Sequence, residues 1–219
     1  MDFFSTIARF FQHGGHFMYP IAVVAVIGLA IAVERYIYLT ATRGRNRSLW
    51  QQIEPLLGQA NFRQAAQVAS QSDSAVGQIL TYGLARIASA KRRDDIEKAM
   101  EESLMGIVPK LEKRTHYLAT FANLATLLGL LGTVMGLIGA FSAVATVNPA
   151  EKANLLSASI SEAMNCTAFG LMVAVPLLII HAVIQTKTTE LIDSLEMASV
   201  KFLNSIVERR TEAAQAAGA

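Results

Sequence analysis

A few polar side chains stand out inside long, largely apolar stretches: Thr133 in one, and Glu162, Asn165 and Thr167 in another. Two hydroxyls, a carboxyl and an amide can together relay a proton or hold a small cation. A carboxyl in a low-dielectric pore is stable when protonated, so it can load and release its proton according to position. Threonine hydroxyls offer a donor or an acceptor without fixed charge. Counting about fourteen residues back from Val147, and about ten forward from Ser157, places Thr133 and Thr167 within a turn or so in depth. One membrane threonine alone ordinarily back-bonds to its own helix. Two at matched depth beside small residues point instead to a shared polar lumen. Glu162 sits only about five residues into its helix, so an ion pathway and a solvated interface are both open to it. It lies about 140° around the helix from Thr167, off the same narrow face.

The elements that must position these groups are defined by charge. The 219-residue chain is 53% hydrophobic and only 16% charged, a balance that leans towards the membrane. No Asp, Glu, Lys or Arg occurs from Phe10 to Val33, from Thr115 to Ala150, or from Ala163 to Thr186. A helix needs roughly 20 apolar residues to cross a bilayer core, and each run suffices. None shows the alternation of barrel strands. The expected fold is therefore an all-α integral membrane protein with three transmembrane helices, at 17–38, 115–147 and 157–187. The first run is too long in its apolar core, and lacks a small-residue cleavage site, for a secretory signal. Arg35, Arg43, Arg45 and Arg47 follow the first helix, whereas Arg9 alone precedes it and Lys152 is the only base between the other two. Positive-inside reasoning puts the N-terminal segment 1–16 and the loop 148–156 in the periplasm. The helical region 39–114 and the C-terminal helix and tail 188–219 then lie in the cytoplasm. A net charge of +2 gives no reason to expect nucleic acid as a partner. One cysteine, Cys166, excludes an internal disulfide.

Outside the membrane the sequence reads as helix. Ser48–Leu57 and Phe62–Ser70 are separated by the breakers Gly58 and Asn61, and Asp73 and Ser74 can cap the segment AVGQILTYGLARIASA. Asp94 and Asp95 open a helix whose only strong breaker before Val147 is Pro109, beside Gly106. The third apolar run continues through TTELIDSLEMASVKFLNSIVERR, so the second and third membrane helices extend into the cytoplasm, and TEAAQAAGA reads as a frayed end. Glu34 and Arg35 read as an interfacial ion pair closing the first helix.

On the second membrane helix Ala122, Ala125, Gly129, Gly132, Gly136, Gly139 and Ala143 form one stripe of small residues. The third carries Ala163, Thr167, Gly170 and Ala174. Such stripes let helices approach closely in lipid. So much tight packing in a chain of three spans suggests a homo-oligomer that supplies the missing partners. Pro176 interrupts the third helix's hydrogen bonding, tolerable where neighbours satisfy the freed carbonyl. His116 and His181 fall near the cytoplasmic helix ends, His13 and His16 outside, and Cys166 reads as a small packing residue. Trp50, Tyr36, Tyr38 and Tyr117 suit interface and loop surfaces. No catalytic, metal or cofactor motif occurs, so no enzyme is expected.

GLLGTVMGLIGAF at Gly129–Phe141 and SEAMNCTAFGLMVAVP at Ser161–Pro176 resemble the signature pair of the ExbB/TolQ/MotA proton-channel family. The first helix, GGHFMYPIAVVAVIGLAIAVERYIYL, is similar to the opening helix of the ExbB/TolQ branch. Three spans fit that branch, whereas MotA-type stators have four, and the likeness is strongest to ExbB, a biopolymer transport protein. The resemblance implies a pentamer around a single-helix partner of the ExbD/TolR type in the bacterial inner membrane. The complex would use the proton motive force to drive a TonB-like transducer and outer-membrane import. By motif match, Thr133 and Thr167 take the places of the family's pore threonines and Glu162 that of its third-helix glutamate. Asn165, where relatives are aliphatic or small, adds a carbonyl oxygen that could contribute to a sodium site, an alternative in which Na+ replaces H+ as the transported ion. A TolQ-like role in envelope constriction, and a passive scaffold whose stripes only pack helices, are the rival readings.

Overall fold

The computed structural model describes residues 14–87 and 92–217, with side chains through Val207. Among the described residues the chain is wholly helical. Its elements are α1 (Met18–Gly58), α2 (Phe62–Ser70), α3 (Ala75–Ile87), α4 (Arg93–Glu112), α5 (Thr115–Thr146) and α6 (Lys152–Ala217). Three stretches, Met18–Gly58, Arg93–Thr146 and Lys152–Val207, are long and apolar enough to cross a membrane. Residues 1–13, which include His13, and residues 88–91 lie outside the described part.

The helix starts follow the capping chemistry that the sequence offers. Asn61 accepts at Oδ1 from the Gln64 N–H at 3.2 Å and so caps α2. Ser74 Oγ accepts from the Gly77 N–H at 3.1 Å to start α3. At α4 the Arg92 N–H donates to Asp95 Oδ2 at 3.1 Å, the reciprocal half of a capping box.

The helix ends hold three departures from the sequence reading. Pro109 does not break its helix but lies inside α4, and the interruption falls at Lys113–Arg114, where Arg114 takes φ +64°. The first helix does not close at Glu34–Arg35. It continues unbroken to Gly58, and Glu34 Oε2 pairs instead with Arg114 Nη1 at 2.9 Å. Glu34 thus has an ion-pair partner eighty positions away in the chain. The backbone of α6 runs helical to Ala217, through most of the end that reads as frayed.

The chain divides into two compact units. One comprises residues up to Arg35 with Arg114–Ile184, and the other Tyr36–Lys113 with the chain from Gln185. The second unit has an ordinary aliphatic core. Ile53 of α1, Ile79 and Leu80 of α3, Ile96 and Met100 of α4, and Leu195 and Phe202 of α6 are all essentially inaccessible. Asn46 is buried and accepts at Oδ1 from the Val76 N–H at 3.3 Å, tying α1 to the start of α3. Gly106, in mid-α4, has open space where a Cβ would stand. Gly106→Ala is therefore expected to raise stability by about 0.5–1 kcal/mol, read as a higher midpoint of thermal unfolding.

The first unit is built the other way round. Many of its large side chains point outward: Val26 is 68% exposed, Leu127 61%, Phe141 64%, Met164 64% and Ile179 61%. Its small ones point inward, with Ala122, Ala125, Gly129 and Gly132 of α5 buried. In water such a surface would drive aggregation. In lipid it is the stable arrangement, because tails solvate the bulky groups and close packing is left to the small ones.

Candidate functional site

α5 and α6 form an antiparallel hairpin whose seam is the small-residue stripe. From one end, Gly136 meets Ala163, Gly132 meets Cys166, and Gly129 meets Thr167 and Gly170. A Cβ on Gly129 would stand 3.2 Å from Thr167 Cα and 3.3 Å from Gly170 Cα, so glycine is what allows the two backbones to approach. The stripe thus finds its partner within the same chain. That removes the ground on which the stripe alone suggested a homo-oligomer, except at Gly139, which has nothing within 4 Å.

The close approach brings the two membrane threonines together. Thr133 Oγ1 donates to the Gly129 carbonyl at 3.0 Å, and Thr167 Oγ1 donates to the same carbonyl at 2.9 Å from the other helix. The two hydroxyl oxygens also touch each other. Thr133 makes the back-bond expected of a lone membrane threonine, but Thr167 reaches across the seam. Three contacts here share two hydroxyl protons. When both protons serve the Gly129 carbonyl, the hydroxyl oxygens turn only lone pairs outward. The pair is then an acceptor site for a protonated carboxyl, a water or a cation. Both threonines remain half-buried, so the site is within reach of a group outside the hairpin.

The other polar residues stand apart from this pair. Glu162 is exposed and lines a cavity of about 180 Å³ with Gly14–Phe17, Gly132, Met135, Gly136, Ala163 and Cys166. Its carboxyl covers the open face of Gly15, whose φ of +74° suits only glycine without strain. Neither threonine lines that cavity. Asn165 is half-buried on α6 and lines neither it nor the threonine cluster. Cys166 is buried and fills the space over Gly132. Pro176 lies inside α6, which continues through it.

Two features escaped the sequence reading. The acceptor shared by both hydroxyls is the backbone carbonyl of Gly129, and no side-chain pattern announces a carbonyl. The wall opposite Glu162 is the segment before α1, His16 included, for which the only signal was the adjacent pair Gly14–Gly15.

A chain with three helices long and apolar enough to cross a membrane, and a first unit that turns apolar side chains outward, has the build of a membrane protein. Residues 71–197 match the MotA/TolQ/ExbB proton channel family, and the chain belongs to it. That is a family of channels, not of enzymes. The chain is also similar to a biopolymer transport protein ExbB homolog from Methanothermobacter thermautotrophicus. The two are 26% identical over 199 residues, which cover 90% of this chain and 69% of the relative.

Proposed function

We propose that the chain is the multi-copy subunit of an ion-driven stator in the bacterial inner membrane, working with a single-helix partner of the ExbD/TolR type. In this reading a homo-oligomer, a pentamer by family resemblance, surrounds the partner. The proton motive force then energises a TonB-like transducer for outer-membrane import. Segments 1–16 and 148–156 face the periplasm, and 39–114 and 188–219 the cytoplasm, with membrane spans at 17–38, 115–147 and 157–187. The observation that carries the reading is the Thr133–Thr167 pair on the Gly129 carbonyl, half-buried in an otherwise apolar bundle. Its outward lone pairs suit a protonated carboxyl on a partner helix. The likeness to a relative named as an ExbB homolog supports the ExbB-like reading over the TolQ-like one. Each charge crossing 100 mV releases about 2.3 kcal/mol, the source of any work done on the transducer.

Glu162 acts in this scheme at the outer entry, collecting protons into its cavity before they reach the threonines. Glu162→Gln should slow proton uptake by proteoliposomes holding the complex about tenfold, by removing the carboxyl from the cavity, while the complex keeps its native mass. The same assay with sodium omitted decides the ion. Proton-driven function predicts full activity, whereas loss would identify Na+ and give Asn165 a ligand role. No proton or sodium flux in either buffer would overturn the reading.

A further inference from the structure

The second unit carries two grooves of opposite character on either side of α6. One, of about 680 Å³, lies between α4 and α6. Its floor is apolar, with Met100, Leu104 and Val108, and three glutamates line it: Glu97, Glu101 and Glu196. The other, of about 370 Å³, lies between α1 and α6 and is lined by Arg43, Arg47, Trp50, Met197 and Lys201. On α6 the residues of the acidic groove are Glu196, Ser199, Val200 and Leu203, and those of the basic groove are Ser194, Met197, Ala198 and Lys201. At 100° per residue the centres of these two sets lie about 160° apart around the helix. One helix therefore presents an acidic-apolar face and a basic-aromatic face in nearly opposite directions.

Apolar side chains are left open beside both. Met105 is 73% exposed and Val200 51% at the acidic groove, and Met197 is 60% exposed at the basic one. Arg43 is held by Glu190 at 3.1 Å, so the groove's unlike-charge capacity rests mainly on Arg47 and Lys201, both exposed. Glu101 and Glu196 are exposed in the same way across the unit.

Resting on the oligomer of the proposed function, we infer that a second copy of this chain fills each groove: the acidic face of one subunit docks on the basic face of the next. Two different complementary faces on opposite sides of a subunit make a head-to-tail contact, which closes into a ring when the rotation allows. The exposed methionines and valine supply the apolar contact, and the charges set partner, register and encounter rate.

Charge reversal tests this in the intact chain, by native mass in detergent at low salt. Glu101→Lys with Glu196→Lys should raise the dissociation constant of the oligomer by at least about tenfold, because like charges then face each other. Arg47→Glu with Lys201→Glu should do the same. The chain carrying all four substitutions should regain the oligomer, since attraction is restored with inverted sign. Unchanged mass in both double variants overturns the inference, as does failure of the fourfold variant to reassemble with its helical circular dichroism intact. The readout is mass, not flux. A complex that assembles by these rules yet passes no ion would leave the docking in place and remove the stator reading instead.

Discussion

Thr167→Ala is expected to leave the protein at normal levels in the membrane, with its oligomer intact, and to slow ion-coupled work by at least about fivefold. The change deletes one hydroxyl, and with it a 2.9 Å hydrogen bond from α6 to the Gly129 carbonyl on α5. The net value of such a bond is about 0.5–1.5 kcal/mol, too little to undo a hairpin packed along its whole seam. The carbonyl is not orphaned either, because Thr133 Oγ1 still donates to it at 3.0 Å. The ion path loses more. A proton or cation that no longer meets a second oxygen at the seam pays for an unmet polar contact, about 1–3 kcal/mol, or about a five- to hundredfold slower flux. Thr133→Ala should act in the same direction, and Thr167→Ser, which keeps the oxygen, should retain most of the flux. Proton uptake by proteoliposomes, normalised to complex mass, measures all three. If the alanine variants conduct like the parent, the threonines only pack helices and the chain is a scaffold.

The elements were legible in the sequence because each rests on a local rule. Absence of charge marks the three spans, Gly58 and Asn61 mark the break before α2, and Ser74 and Asp95 mark helix starts by side chains that can accept a backbone N–H. The pairing of Thr133 with Thr167 was also legible in outline. Depth follows from counting residues along two antiparallel helices, and the small residues beside each threonine show which faces can touch. What was not legible was tertiary. Pro109 was read as a breaker, yet α4 absorbs it and turns instead at Lys113–Arg114. Glu34 and Arg35, neighbours in sequence, were read as partners, but Glu34 reaches Arg114. Likewise the stripe revealed that something must pack closely, and only the fold shows that the partner of α5 is α6. Glu162 was open between pathway and interface. Its place in a cavity walled by Gly14–Phe17 could not be foreseen, since loops before a helix carry no periodic signal.

Gly170→Leu is expected to prevent the hairpin from closing, so that the protein fails to accumulate, and Gly170→Ala to weaken it measurably. A Cβ at Gly170 would stand 2.7 Å from the Ala125 carbonyl oxygen and 3.1 Å from Gly129 Cα. Both are backbone atoms, so no side chain can rotate away and relief requires the helices to part. Alanine has the better helix propensity by about 1 kcal/mol. Overpacking costs about 1–3 kcal/mol, so the net change in Gly170→Ala should still be a loss, seen as a lower melting temperature in detergent. Gly139→Ala is the matched control on the same stripe: with nothing within 4 Å, it should be neutral or slightly stabilising. The functional consequence of Gly170→Ala follows from where it acts. Gly170 lies three residues along α6 from Thr167, and it crowds the Cα of Gly129, the residue whose carbonyl accepts from both hydroxyls. Moving α6 outward by even a few tenths of an ångström stretches the Thr167 bond but leaves the Thr133 bond, which is internal to α5. Flux should therefore fall in Gly170→Ala without any change to a polar residue, and Gly139→Ala should conduct normally. If Gly170→Ala melts lower but conducts at the parental rate, the spacing of the two hydroxyls does not govern the path.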